Sequence, residues 1–176
     1  RRAVECGVRS IEHGNLIDAP TAALMAERGA FAVPTLITYE ALARDGVQLG
    51  LGAESVAKIA QVRAAGLKSL EILKTAGVRM AYGTDLLGAS HGLQSEEFLI
   101  RAQVQSNLEV LQSATLIGAE LLNQVGVIGE IAAGARADLL LVDGNPLADL
   151  ACLTGQGERI PLVMQGGKLR VNELRA

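Results

Sequence analysis

His13, at the end of "SIEH", and Asp85, at the end of "MAYGTD", each close a short apolar run. An imidazole and a carboxylate are ordinary ligands for Zn²⁺ or a similar divalent ion, and either can move a proton. Each residue also has a plainer reading. His13 reads equally as a strand-end histidine satisfied by a neighbour, and Gly83-Thr84-Asp85 as the N-cap of a helix. On adjacent strand ends the two together make a metal-binding or proton-handling pair. A catalytic zinc takes about three protein ligands, and the sequence holds one further histidine, His91, in a Gly/Ser loop six residues after Asp85. His91 reads as a solvated loop residue or as a ligand or substrate contact. Tyr39, in "TLITYEAL", either packs or turns its hydroxyl to a substrate. Glu96 and Glu97 read as first-turn acids that favour a helix N-terminus. Ser90 beside His91 does not make a nucleophile and base, because that pair needs a geometry adjacent residues rarely hold. The glycine-rich turns match neither GxGxxG nor GxxxxGKS/T, so nucleotide binding has no support.

These residues depend on alternating strands and helices for their placement. Residues 8–13 predict a strand, and residues 18–29 a helix with Asp18 as N-cap, Pro20 in its first turn and Gly29 as its stop. Residues 30–38 are a second β run, interrupted by Pro34, followed by a short helix over 40–46. Val56, Ile59, Leu67, Leu70 and Leu73 recur at helical steps and predict a long helix from Glu54 to Ala76, with Gly77 just beyond. Residues 78–83 predict a third strand; helices over 95–105 and 108–124 follow, split near Ser113-Ala114. Strands separated by helices imply an α/β fold of βαβ units with parallel strands. Loops at the carboxyl ends of such strands share one face, so His13, Thr38-Tyr39 and Asp85 are expected on one rim. After about Val125 short β runs alternate with Gly/Asn/Pro turns, which divides the chain into an α/β part, 1–124, and an all-β part, 125–176, with "MQGGKL" as a hairpin turn.

Bulk properties narrow the function classes. Hydrophobic residues make up 49% of the chain, yet no run approaches the roughly 18 residues of a membrane span. A net charge of −3 with interspersed signs gives no footprint for nucleic acid or acidic lipid. The aromatics are Phe31, Tyr39, Tyr82 and Phe98, too few for base stacking. Cys6 and Cys152, far apart and outside any CxxC, suit a reduced, cytoplasmic protein, and Cys6 reads as structural.

Three passages, "GVRSIEHGNLID", "GTDLLGASHGLQSEEFLIRAQV" and "GVIGEIAAGARADLLLVDGNPLADL" with its continuation "GQGERIPLVMQGGKLRVNEL", resemble in order the C-terminal half of an amidohydrolase-superfamily enzyme. More narrowly, they resemble the imidazolonepropionase-related group that contains the Xaa-Pro dipeptidases, or prolidases. The resemblance implies that residues 1–124 are strands six to eight of a (β/α)₈ TIM-like barrel and that 125–176 belong to a small β-sandwich. It implies a metal ligand at His13, and at Asp85 a residue that touches metal and shuttles a proton. Tyr39 and the loop from Leu86 to His91 would line the substrate pocket. It further implies one or two divalent ions, with zinc the favoured metal, hydrolysis of a C–N amide bond, and a homo-oligomeric parent. The substrate would be a small peptide-like or cyclic amide, with an Xaa-Pro dipeptide favoured. The family's first-strand HxH pair, strand-four lysine and strand-five histidine have no counterpart in this sequence. The expectation is therefore a fragment of an active parent, with the isolated chain catalytically incompetent or a non-enzymatic interaction module.

Overall fold

The computed structural model describes residues 1–48 and 50–174; the last two residues of the expected 125–176 tail lie outside them. A short helix α1 (Arg2–Glu5) leads into strand β1 (Ser10–Glu12), helix α2 (Ala19–Glu27) and strand β2 (Phe31–Val33). β1 and β2 pair in parallel, as the alternation requires, with Ile11 opposite Ala32. Asp18 caps α2 by accepting a hydrogen bond from the Thr21 amide at 2.9 Å. The chain leaves α2 through Gly29 at φ 66°.

Both remaining β runs are shorter than the sequence suggests. The run 30–38 forms a strand only over Phe31–Val33, because Pro34 has no amide to continue a ladder. Thr35 then turns left-handed, and helix α3 runs from Leu36 to Asp45, four residues earlier than the predicted helix at 40. Thr38 and Tyr39 therefore sit in the first turns of a helix rather than at a strand end. The run 78–83 contributes one bridge, Ala32 to Met80, flanked by hydrogen bonds from Ala32 N–H to Arg79 C=O (3.0 Å) and from Ala81 N–H to Ala32 C=O (2.9 Å). Gly83 allows this run to lie close to β2: a Cβ there would stand 2.5 Å from Val33 Cγ1.

The long helix α4 spans Ala53–Thr75, close to its predicted bounds. The helix expected over 95–105 forms only as α5, Glu97–Arg101, preceded by a 3₁₀ segment, Gly88–Glu96, and followed by a turn over 102–104. Gly88, Gly92 and the serines around them have poor helix propensity, in keeping with the 3₁₀ winding of the segment before α5. Helices α6 (Asn107–Ala114) and α7 (Leu116–Leu121) are separated at Thr115, one residue from the predicted split. Ser106 and Glu109 form a reciprocal capping box at the start of α6.

The core gathers Val4, Met25, Ala32, Leu36, Leu70, Leu73, Val78 and Met80 between the two-stranded sheet and helices α2 and α4. Beneath it, Phe31 is held between the guanidinium groups of Arg79 (4.1 Å from the ring centre) and Arg9 (5.5 Å). Arg79 also pairs with Glu120, while Arg9 donates to the C=O groups of Glu120 and Leu121 at the end of α7. A second sheet holds strands β3 (Leu139–Leu141), β4 (Leu162–Gln165) and β5 (Lys168–Asn172), all antiparallel. Gly166 and Gly167, at φ 55° and 77°, make the two-residue turn between β4 and β5 that the sequence predicts. Leu150, Cys152 and Leu153 pack this region onto Val110 of α6. Cys6, expected to be structural, is exposed, because α1 ends there and turns it outward.

Leu70, with none of its side chain exposed, lies at the centre of the main core. Leu70→Ala is expected to cost about 2–5 kcal/mol. The check is urea unfolding, where the midpoint should fall with no change in slope.

Candidate active site

Three successive strand ends converge, and each turns through a left-handed residue that is not glycine. These are His13 (φ 66°) after β1, Thr35 (φ 50°) after β2, and Asp85 (φ 49°) after the bridge at Met80. Such conformations cost about 1–3 kcal/mol each and persist where the surroundings enforce them. Here the enforcement is visible. The His13 amide donates to the Val33 carbonyl at 2.9 Å, which ties the end of β1 to the end of β2. His13 Nδ1 lies 2.7 Å from Thr35 Oγ1, and the Thr38 hydroxyl donates to the Asp85 carbonyl at 3.0 Å.

With Nδ1 engaged by Thr35, the other ring nitrogen of His13 is the one that faces Asp85. Nε2 stands 3.6 Å from Asp85 Oδ2, beyond ordinary hydrogen-bond length, and both side chains are open to solvent (42% and 60% exposed). A divalent ion about 2.0–2.2 Å from each atom in tetrahedral geometry would hold them roughly 3.3–3.6 Å apart, so the spacing and donor types fit two corners of such a site. A hydrogen-bonded second nitrogen is also the usual arrangement of a ligating histidine. Among the described residues no group of three or more His, Cys, Asp or Glu side chains comes together, so this chain offers a pair and not a full ligand shell.

Tyr39 meets His13 edge to face, with ring centres 6.2 Å apart. Burial, and secondarily the Asp85 charge, push its hydroxyl above the ordinary phenol value, which keeps it a donor at neutral pH. The expected loop divides differently. Leu86 is 5% exposed and packs against Ile37 and Ala41, so its side chain supports α3 from below. His91 folds back on that loop, its Nε2 2.5 Å from the Leu86 carbonyl. A cavity of about 1030 Å³ between α3, α4 and α5 includes Ile37, Glu40, Arg63 and Leu93 in its wall, but neither His13, Tyr39 nor Asp85.

Thr35, which holds the His13 ring, is absent from the sequence reading, and Glu97 is in it only as a first-turn acid. Thr35 was reachable, as the first hydroxyl after the strand-ending Pro34. Glu97 stands in the first turn of α5, as the sequence suggests, but it is fully buried, and its Oε2 accepts the Ile37 amide of α3 at 2.7 Å. Arg101, one turn later and equally buried, donates to the Ala81 carbonyl at 3.0 Å and to Gln105 Oε1 at 2.8 Å. Burial raises the Glu97 carboxyl to about 7, against the opposing pull of the Ile37 amide and Arg101. Burial also holds Arg101 below its ordinary value, with Glu97 offsetting part of that.

An amidohydrolase family model matches residues 1–169, and the chain belongs to this family. It is 60% identical to an amidohydrolase of known crystal structure, with a TM-score of 0.96 over 99% of this chain and 42% of that one. A crystal structure of a prolidase complexed with N-methylphosphonate-L-proline matches at 54% identity and TM-score 0.94, covering 97% of this chain and 42% of the prolidase. Ochratoxinase from Aspergillus niger is 30% identical over 169 residues, 95% of this chain and 35% of that enzyme. The chain thus spans about two fifths of the length of these solved relatives, and about a third of ochratoxinase.

The Glu97 carboxyl binds its proton more tightly in the folded chain than at its ordinary value of 4.5. Its contribution to stability is therefore complete below about pH 4.5 and is lost as pH rises through about 7. Glu97→Gln should remove this component, so its urea midpoint should fall less than that of the unsubstituted chain between pH 5 and pH 7. Equal slopes in the two proteins would show that Glu97 does not titrate in this range.

Proposed function

We propose that this chain forms one side of the active site of a metal-dependent amidohydrolase that cleaves the C–N bond of an Xaa-Pro-type dipeptide. In this reading residues 1–124 are the last three strands of a TIM-like barrel with their helices. Residues 125–176 are a segment of its β-sandwich. The observation that carries the reading is the His13–Asp85 pair, with one imidazole nitrogen fixed by Thr35 and the other 3.6 Å from the carboxylate. The choice of a prolyl substrate is supported by the 54% identity to a prolidase complexed with a proline derivative.

His13 Nε2 and an Asp85 oxygen would hold a divalent ion, zinc being favoured by the N/O donor pair. A bound ion of this kind supplies Lewis acidity and makes a water nucleophilic near neutral pH. The residues of this chain do the rest. Asp85 accepts the proton of the attacking water and delivers it to the departing proline nitrogen, acting first as base and then as acid. Its side chain reaches solvent, while its backbone is anchored through the Thr38 hydroxyl, which fixes the position from which the carboxylate acts. Thr35 keeps Nε2 of His13 turned toward Asp85. Tyr39, protonated and beside both, donates to an oxygen of the substrate.

The test is expression of the gene's full reading frame and assay of Xaa-Pro dipeptides with and without a chelator. Chelation should abolish hydrolysis and zinc should restore it. Asp85→Asn should lower kcat by about 10²–10⁴ with a smaller effect on KM. Undiminished hydrolysis by that variant would remove Asp85 from proton transfer. Cleavage of other N-acyl amino acids in place of prolyl dipeptides would keep the chemistry and change the substrate.

A further inference from the structure

Glu97 and Arg101 are a buried acid and a buried base that the chemistry above does not use. Both have no exposed surface and lie one turn apart on α5, on the same face. They do not close on each other as an ion pair; each reaches a different strand end. Glu97 Oε2 takes the amide of Ile37, the second residue of α3, at 2.7 Å. That first turn of α3 also carries Thr38, bonded to the Asp85 carbonyl, and Tyr39, set against His13. Its N-cap is Thr35, which engages His13 Nδ1. Arg101 takes the Ala81 carbonyl, four residues before Asp85, and reaches the Met80 carbonyl at 3.5 Å.

A buried carboxylate and a buried guanidinium are costly to keep, and apolar residues of similar volume are often as stable or more so. A core requirement alone gives no reason for charges at these positions. What they do that Leu or Met could not is to fix backbone polar groups, one on each side of the site. Even so, Glu97 Oε1 has no hydrogen-bond partner among the described residues, so satisfying the carboxylate itself is not what the arrangement achieves.

We propose that Glu97 and Arg101 are positioning residues that set the His13–Asp85 geometry. Glu97 fixes the α3 N-terminus behind Thr35, Thr38 and Tyr39, and Arg101 fixes the 80–81 backbone leading to Asp85. The zinc consequence rests on the metal-ligand reading of His13 and Asp85; the imidazole geometry does not.

The chain has two histidines, His13 and His91, so ring ¹⁵N signals of histidine-labelled protein report on the site with an internal control. Glu97→Met removes the acceptor for Ile37. It should shift the His13 ring signals, leave those of His91 in place, and, in the full-length protein, weaken zinc binding about tenfold in a chelator competition. Glu97→Gln, whose amide oxygen can still accept from Ile37, should return both readouts close to those of the unsubstituted chain. If Glu97→Met unfolds, Glu97→Met/Arg101→Met leaves neither charge alone and takes its place. Met25→Ala, in the α2 core, controls for general loosening and should move neither readout. Unmoved His13 signals in a folded Glu97→Met chain, or equal movement in Met25→Ala, would overturn the proposal. A full-length protein that binds no zinc would sink the metal reading, while the imidazole signals would still decide the positioning.

Discussion

The arrangement of the site depends on β2, three residues of which none is more than 8% exposed, held on both sides by neighbouring chain. Ala32 at its centre faces Ile11 on one side and Met80 on the other. Because all three runs point the same way, their carboxyl ends meet at one rim. There the chain leaves the sheet three times within reach of itself. Pairing to both sides of β2 is what brings residue 13 near residue 85. Packing close to β2 is what makes Gly83 necessary, since any side chain at that position meets Val33. Lost pairing at β2 would separate the polar residues before it disturbed any of them locally.

Fixing three strands leaves the side chains at their ends undetermined, and a second layer of contacts supplies that order. His13, Thr35 and Asp85 all adopt a backbone conformation unfavourable for their residue types. The hydrogen bonds around them cross between strands: His13 amide to Val33, His13 ring to Thr35, Thr38 to Asp85. Each bond compensates strain contributed by a different segment, so the rim behaves as one unit. The opposite end of the sheet has another character. Phe31, Arg9, Arg79 and Glu120 form a clasp of stacked guanidinium groups that closes α7 onto the bottom of the strands. Strain lies at the end with the polar residues, and redundant attachment lies at the end without them, as in parallel α/β folds where chemistry sits at the carboxyl ends.

Belonging to the amidohydrolase family gives this division a meaning, while coverage of about two fifths of the solved relatives bounds what one chain can carry. Two donors at 3.6 Å suit a divalent ion but do not complete its shell. The second, antiparallel sheet has a similar character: β5 is exposed along its whole length, and Leu140, Leu141 and Leu169 stand more or less half open.

The sequence by itself determined the order of elements and the identity of the two strand-end residues. His13 and Asp85 were legible because each ends a short apolar run, a pattern that depends only on neighbouring positions. Asp18 as cap, the long α4 and the Gly166-Gly167 turn were legible for the same local reason. The start of α3 was not, because nothing near Leu36 announces it; Pro34 ends the strand, but the acceptor for the Ile37 amide is Glu97, sixty residues away. The pairing of Thr35 with His13 and the burial of Glu97 were likewise decided only in three dimensions. The reason is physical: a side chain's burial and its hydrogen-bond partners are properties of the packed surroundings, and along the chain those surroundings are remote.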